Sequence, residues 1–496
     1  MNSFQILQIY HSIKSLSEKN IDKTFSDLIQ QTFLRSNHQS TRPNSISVED
    51  AFFGDSGKGA VVAKLNNIFK KKGKVYSLRY NGGANAGHEA IINGVPIVTH
   101  QLPMGVIQKN TTAIISRGMV IHPEDLLTEI DLVSSCFNNH LPGKLLIDER
   151  VILVLDTHRA KEKIVNTHTT GGQGSTGRGI AESYMSVYGR YPVTLKDLLS
   201  SDWKKILLNH YHFYHMQIAG FGENMADIVI YSMDDPEKKR TVGKETEFIK
   251  RLSKCRVALK KYTNSKMYPL IENFWNDSKI PVTLEGAQGP GLDPYHGVYP
   301  DVTASRSMSR YINDATYNII HPEKIGLRLA IMKTTYMSSV GKRVLPTIKD
   351  ASWEKWIQET CHETGRSTGR LRDIYPVTIP IANYLKNAAG YGGLVATHLD
   401  ASKIGENIRV ITHYTDKKSS KECPYLPYQD QLDKLKAHFV EFESWDGEKV
   451  KGAKSWKELP IEAKKYLLFL SQVIAPVLMT TTGPDLEEYI SFLPNL

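Results

Sequence analysis

Phe53-Gly54-Asp55-Ser56-Gly57-Lys58-Gly59 is the stretch on which the reading of the fold turns. Its three glycines precede Val61, Val62, Leu65, Ile68 and Phe69, which recur at helical spacing and share one face. Upstream, Ile46 and Val48 alternate with polar residues ahead of Phe52 and Phe53, the pattern of a short strand. Strand, glycine-rich turn and helix together make an anion cradle, where free backbone N–H groups and the positive helix end converge. Lys58 adds a point charge, and Asp55 a carboxylate able to hold Mg²⁺ or take a proton. The loop is not a Walker A: Phe52 stands where that pattern needs its first glycine, and Gly59 where it needs Ser or Thr.

Working outward, a strand is expected at Val75–Tyr80, followed by Asn81-Gly82-Gly83-Ala84-Asn85-Ala86-Gly87-His88, a second polar glycine loop. Val151–Leu155 is a continuous apolar run, as in a strand buried on both faces, and leads into a third such loop, Thr169–Gly179. Pro281–Leu284 opens into Glu285-Gly286-Ala287-Gln288-Gly289, and further strands are expected at Leu394–Thr397, Ile408–Thr412 and Val477–Thr480. Strands that end in glycine-rich loops point to an α/β sheet whose strand ends carry a ligand site.

Residues 1–45 read as a two-helix extension without chemistry, and 46–496 as the catalytic domain. Within it, 200–276 reads as a helical insertion and 415–455 as a Lys-rich insertion with little core signal. The 496 residues, 41% hydrophobic and 23% charged, suit a globular protein with a real core. No apolar run has membrane-spanning length, no signal peptide is evident, and four scattered cysteines form no metal or disulfide pattern. A cytoplasmic setting is expected. The net charge of +10 suits phosphate-bearing small substrates, and no nucleic-acid motif accompanies it. His210, His212 and His215 crowd one stretch and are expected to be surface or packing residues rather than metal ligands.

The motifs together resemble the adenylosuccinate synthetase family. They are Gly54–Gly59, Arg79–His88, Ser175-Thr176-Gly177-Arg178-Gly179-Ile180, Glu285–Gly289 and Thr482-Gly483-Pro484-Asp485, in that family's order, and the likeness spans about residues 46–490. It implies a P-loop NTPase-like α/β fold with a large, mostly parallel central sheet, flanking helices and helical insertions. It further implies a homodimeric ligase joining IMP and L-aspartate, with GTP as co-substrate and Mg²⁺ as cofactor, through 6-phosphoryl-IMP. Asp55 matches the base that takes the N1 proton and ligates Mg²⁺ beside the Gly87 carbonyl; His88 matches the acid. Gln288 helps place the catalytic carboxylate and, with Asn85, Thr176 and Thr303, matches IMP-binding positions. Arg190 matches an arginine that reaches the IMP phosphate of the neighbouring subunit. Thr368 and Arg370 match the aspartate loop; Gly54, Gly57, Lys58, Gly59, Arg372, Asp400, Thr482 and Gly483 match GTP-binding positions. Val340-Gly341 and Pro346-Thr347 lie where the family has a ribose-contacting loop.

Several positions depart from the family pattern. Ser56 replaces an acid, Glu89 the Thr after the catalytic His, and His398 the Lys of a Thr-Lys-Leu-Asp motif. Leu371 and Asp373 stand where arginines are usual, and Leu486 replaces the Arg after Pro-Asp. These changes cluster at the triphosphate and aspartate ends. They keep open a relative acting on GMP or dGMP or using ATP, and a nucleotide-binding regulatory protein that no longer synthesises. Retention of Asp55 favours IMP over dGMP.

Overall fold

The computed structural model describes residues 1–37, 42–169, 175–231, 239–339, 341–364 and 371–493. Its centre is a ten-stranded sheet. Across it run Thr263–Asn264, Lys144–Asp148, Thr111–Ile115, Val75–Arg79, Val282–Glu285, Arg42–Asp50, Ile325–Lys333, Gly393–Thr397, Val477–Thr481 and Tyr489–Ser491. All neighbours are parallel except the last pair. Helices cover the sheet, so its central strands are buried along their whole length, as Val75–Arg79, Thr111–Ile115 and Gly393–Thr397 are. The expected α/β architecture is the observed one.

Two expectations differ. Val151–Leu155 supplies only a two-residue strand, Ile152–Leu153, paired with Val120–Ile121 outside the main sheet. Burial made that run apolar, and burial beneath a helix serves as well as burial in a sheet: the helix Asp156–His168 starts directly after it. The stretch 415–455, expected to carry little core signal, contributes a strand and buried side chains. Leu435–Phe442 pairs antiparallel with Ile408–Asp416, which pairs parallel with Asp373–Thr378, in a second sheet. Leu432, Leu435, Val440, Phe442, Trp445 and Val450 are buried there. The many lysines of the segment hid this core, because they occupy its solvent face.

The N-terminal helices Ser3–Ser15 and Glu18–Asn37 lie on the catalytic body. Ile6, Tyr10, Ile13, Ile21 and Phe25 are buried in one cluster with Tyr466 and Phe469 of the helix Ile461–Val473. Burial of each such side chain stabilises by roughly 1.5–3 kcal/mol. Phe25 stacks on Trp456 at 4.0 Å between ring centroids, and Tyr10 donates to the Glu441 carbonyl. The boundary expected at residue 45 falls inside the first sheet strand, which begins at Arg42.

Candidate active site

Six neighbouring strands of the sheet end on the same side, and their loops enclose a cavity of about 1050 Å³. Asp50 leads into Phe53–Gly59, Arg79 into Asn85–His88, Glu285 into Gln288, Lys333 into the 334–343 region, Thr397 into His398–Asp400, and Thr481 into Gly483. That is where an open α/β sheet places its ligand.

The phosphate-loop helix, Lys58–Phe69, is capped by Gly57 at φ 87°, a left-handed conformation that glycine adopts without strain. Gly59 permits the closest approach, since a Cβ there would lie 2.7 Å from the His88 Cβ. Asp55 (φ 58°), Gln288 (φ 59°) and His398 (φ 56°) also sit in the left-handed region, at three different strand ends. His362 (φ 50°) is a fourth cavity-lining residue in this region, and strained backbone of this kind gathers at functional sites.

The cavity's charges are held in buried networks. Lys58 Nζ lies 3.2 Å from Asp50 Oδ2. Arg372 Nε lies 3.2 Å from Asp55 Oδ2, and its Nη1 donates to Glu363 Oε2 at 2.7 Å. Glu363 Oε1 takes Lys333 Nζ at 2.5 Å and the Tyr336 hydroxyl at 2.6 Å. Burial opposes ionisation of Glu363, but Lys333 and Arg372 outweigh it and bring its pKa down to about 2.

His88 is fully buried, with Nδ1 2.5 Å from Glu285 Oε1. Burial and the Arg79 charge push its pKa down, against the upward pull of Glu285. Burial also acts to raise the Glu285 pKa, yet His88 and Arg79 hold it below the usual carboxylate range. The pair is therefore a neutral imidazole whose Nδ1–H donates to an ionised carboxylate. His88 Nε2 and Gln288 Nε2 are buried polar atoms without a protein partner. Such atoms at a cavity wall await a ligand.

Most of the expected site residues line this one cavity: Gly54, Asp55, Gly57, Lys58 and Gly59 from the phosphate loop, and Asn85, Gly87 and His88 beside them. Thr176, Gln288, Thr303, Arg372, Asp400 and Gly483 complete the set. Asn85 Nδ2 reaches Thr303 Oγ1 at 3.4 Å. The Gln288 carbonyl oxygen accepts from Ser305 at 3.0 Å. Thr482 is wholly buried and donates to the Ala453 carbonyl, while its neighbour Thr481 lines the cavity. Arg190 is exposed and outside its own chain's cavity. Thr368, Arg370 and Val340 lie outside the described residues.

Sequence reasoning missed Lys333, Glu363, Asp301 and Arg343, all of which line the cavity. Only Lys333 carries a sequence signal, as a charged residue at the carboxyl end of the apolar strand Ile325–Lys333. Thr397 was read only as part of a motif. Its hydroxyl donates to the Ser56 carbonyl at 2.9 Å and so ties the phosphate loop to the end of Gly393–Thr397, two strands across the sheet. Of the departures, Glu89 and His398 line the cavity, and Leu371 is exposed. Burial and the Lys333 charge push the His398 pKa down.

The sequence matches the family described as adenylosuccinate synthetase over residues 48–490. The chain belongs to the adenylosuccinate synthetase family. An adenylosuccinate synthetase of Chlorobaculum parvum is 30% identical over 443 residues, covering 88% of this chain and 95% of the relative. A solved structure of fully ligated adenylosuccinate synthetase from Plasmodium falciparum shares the fold. Its TM-score is 0.78 at 24% identity, over 90% of this chain and 99% of that one. A cyanophage succinoaminodeoxyadenylate synthetase bound to dGMP and dATP is more distant, with a TM-score of 0.52 at 15% identity, over 92% of this chain and 97% of that one. Members of the adenylosuccinate synthetase family are C–N bond-forming ligases of purine biosynthesis, dependent on GTP and Mg²⁺, and this chain is one of them.

Mg²⁺ prefers oxygen donors and keeps substrate phosphates among its ligands. The Asp55 carboxylate and Gly87 carbonyl, both at the cavity wall, are donors of that kind. A second group, His122, Glu124 and Asp156, brings ligand atoms within 4.8 Å of one another but lies outside the cavity lining. Its carboxylates are already met by Arg240 and Arg251. His210 is likewise a packing residue: it is buried, bonded to Thr157 at 2.7 Å, with its pKa pushed down by burial to about 3.

Proposed function

We propose that this cavity joins IMP to L-aspartate, with Asp55 as base and His88 as acid. The observation that carries this assignment is the convergence of Asp55, Lys58, His88 and Gln288 from three strand ends on one cavity. Asp55 takes the N1 proton, which leaves O6 able to attack the γ-phosphorus of GTP as the bond to the β-phosphate breaks and GDP leaves. Lys58 and the amides at the start of its helix hold the transferring phosphoryl group. His88 hydrogen-bonds the oxygen on which charge collects. As a neutral imidazole with Nδ1–H on Glu285, it takes a proton from solvent at Nε2 when the anionic nucleotides bind, and as the imidazolium it donates that Nε2–H to the phosphoryl oxygen. The amine of aspartate then displaces phosphate from C6.

Asn85, Thr176, Gln288 and Thr303 bind IMP; Thr368 and Arg370 bind aspartate. Arg372, Asp400 and Gly483 join the phosphate loop in holding GTP. Asp55 and the Gly87 carbonyl would hold Mg²⁺, which when bound neutralises charge on the phosphates. A homodimer with Arg190 serving the partner's site is supported by two features. Arg190 is exposed beyond its own cavity, and its chain neighbours Tyr188 (80% exposed) and Tyr191, which packs against the exposed Phe213, present aromatic surface next to it. A cytoplasmic location is supported by four free cysteines and, among the described residues, by the lack of any helix long and apolar enough to cross a membrane.

The test is incubation of the purified protein with IMP, GTP, L-aspartate and Mg²⁺, following adenylosuccinate absorbance and phosphate release. No turnover, with Asp55→Asn indistinguishable from wild type, would sink the assignment. His398 and Glu89 depart from the family pattern at the triphosphate end, and a panel of IMP, GMP and dGMP crossed with GTP and ATP decides which triphosphate serves.

A further inference from the structure

The cavity wall between Phe53 and Thr303 is closed by an ion pair that the reaction chemistry does not call for. Asp301 lies two residues before Thr303, and the turn at 341–343 wraps its carboxylate. Oδ2 accepts the backbone N–H groups of Lys342 at 3.0 Å and Arg343 at 2.9 Å, and Arg343 Nη2 stands 3.0 Å from it. The same guanidinium donates to the Asp301 carbonyl at 3.2 Å and to the Ser339 hydroxyl, and it lies 4.8 Å from the centroid of the Phe53 ring. Gly341 makes this approach possible: at φ 131°, a Cβ there would come within 2.3 Å of Asp301 Oδ2.

Two successive backbone N–H groups beside a guanidinium form an anion nest. Left open in a nucleotide cavity, such a nest would attract a phosphate or a carboxylate. Here the chain fills it with its own side chain. Asp301, Gly341, Arg343, Phe53 and Thr303 all line the cavity; the nest takes up Oδ2, and among the described residues no hydrogen bond engages Oδ1.

We propose that Asp301, held by Arg343, is a specificity-determining residue of the mononucleotide site: it accepts a sugar hydroxyl and closes the nest to anions. This rests on the assignment of Asn85 and Thr303 to the mononucleotide. A carboxylate favours a hydroxyl donor and gains nothing from a hydrogen at the same place. The site therefore selects a ribonucleotide over a deoxy analogue by roughly tenfold to a hundredfold, the range for one hydrogen bond to a charged group.

The experiment measures dissociation constants by calorimetry for IMP, 2′-deoxy-IMP and 3′-deoxy-IMP on the full chain, wild type and Asp301→Asn, with GTP as control. An asparagine must turn its carbonyl oxygen to the nest, and so presents an amide N–H₂ to the sugar. The expected result is at least tenfold preference for IMP over one deoxy analogue in the wild type. In Asp301→Asn that preference falls below threefold through weaker IMP binding, with GTP binding unchanged. Arg343→Lys, which keeps the charge but loses the fork, should fall between the two and serves if Asp301→Asn does not fold. Equal binding of all three nucleotides by the wild type, or undiminished preference in the variants, overturns the proposal alone. Failure of the wild type to bind IMP overturns the underlying assignment as well.

Discussion

Arg372 Nε stands 3.2 Å from Asp55 Oδ2, so the proposed base is paired with a cation before substrate enters. The contact is an ion pair rather than an aligned hydrogen bond, because Arg372 Nε meets no acceptor in hydrogen-bonding geometry. Substrate can thus take over the carboxylate without breaking a strong directional bond. Asp55→Asn should lower the rate of adenylosuccinate formation by about 10²–10⁴, the usual worth of a general base. Calorimetry should still show IMP bound within a few-fold of wild type. Near-normal turnover would remove Asp55 from the chemistry.

Glu363 links Arg372 to Lys333 inside the protein, so stability and site geometry are coupled there. Glu363→Gln leaves Lys333 buried beside a neutral amide and should cost about 3–5 kcal/mol in urea unfolding. The double variant Lys333→Met/Glu363→Leu should cost less than that. Because Glu363 is held down to about 2 in the fold, its contribution is fully present above its ordinary value of 4.5. It is lost as pH falls from 4.5 towards about 2. Equal acid sensitivity of wild type and Glu363→Gln would contradict this.

His88 should be neutral in the ligand-free enzyme. Burial and Arg79 lower its pKa, so protonation sets in only below the ordinary histidine range. A buried neutral histidine stabilises the fold above its unfolded pKa, and that contribution is lost as pH falls. Nitrogen-15 spectra of labelled histidine should show a neutral ring protonated at Nδ1 at pH 7. An imidazolium signal there would refute the arrangement, and in Glu285→Gln the ring should become still harder to protonate.

Arg190 gives a test of composite sites. Asp55→Asn and Arg190→Leu homodimers should each be nearly inactive. Mixing them through a denaturation–renaturation cycle should restore about a quarter of wild-type activity, because half the dimers then carry one complete site of two. No recovery would mean that each chain works alone.

Phe25→Ala removes the ring stacked on Trp456 and should cost about 3–5 kcal/mol. Thermal unfolding measures it. A negligible shift would return residues 1–37 to the status of a loose extension.

Sequence spacing determined much of this protein without help. Glycines at 54, 57 and 59, followed by apolar residues at helical spacing, can form little else than a strand-to-helix anion cradle. Parallel strands buried on both faces are mostly apolar, so much of the sheet is legible where such runs end in glycine loops. Val151–Leu155 has the same pattern outside the sheet, though, and the central strand Arg42–Asp50 buries Ser45, Ser47, Glu49 and Asp50. Local chemistry of this kind is written in neighbouring residues. The tertiary structure decided what depends on distant residues meeting. Leu435–Phe442 became a strand only because Ile408–Asp416 offered it a ladder, and Ile6, Tyr10 and Phe25 found a core only against residues more than 400 positions away. The same holds for Lys333, Glu363 and Arg372 closing on Asp55, and for Arg343 closing on Asp301. A buried charge is tolerated only with its partner. No spacing along the chain reveals who that partner is.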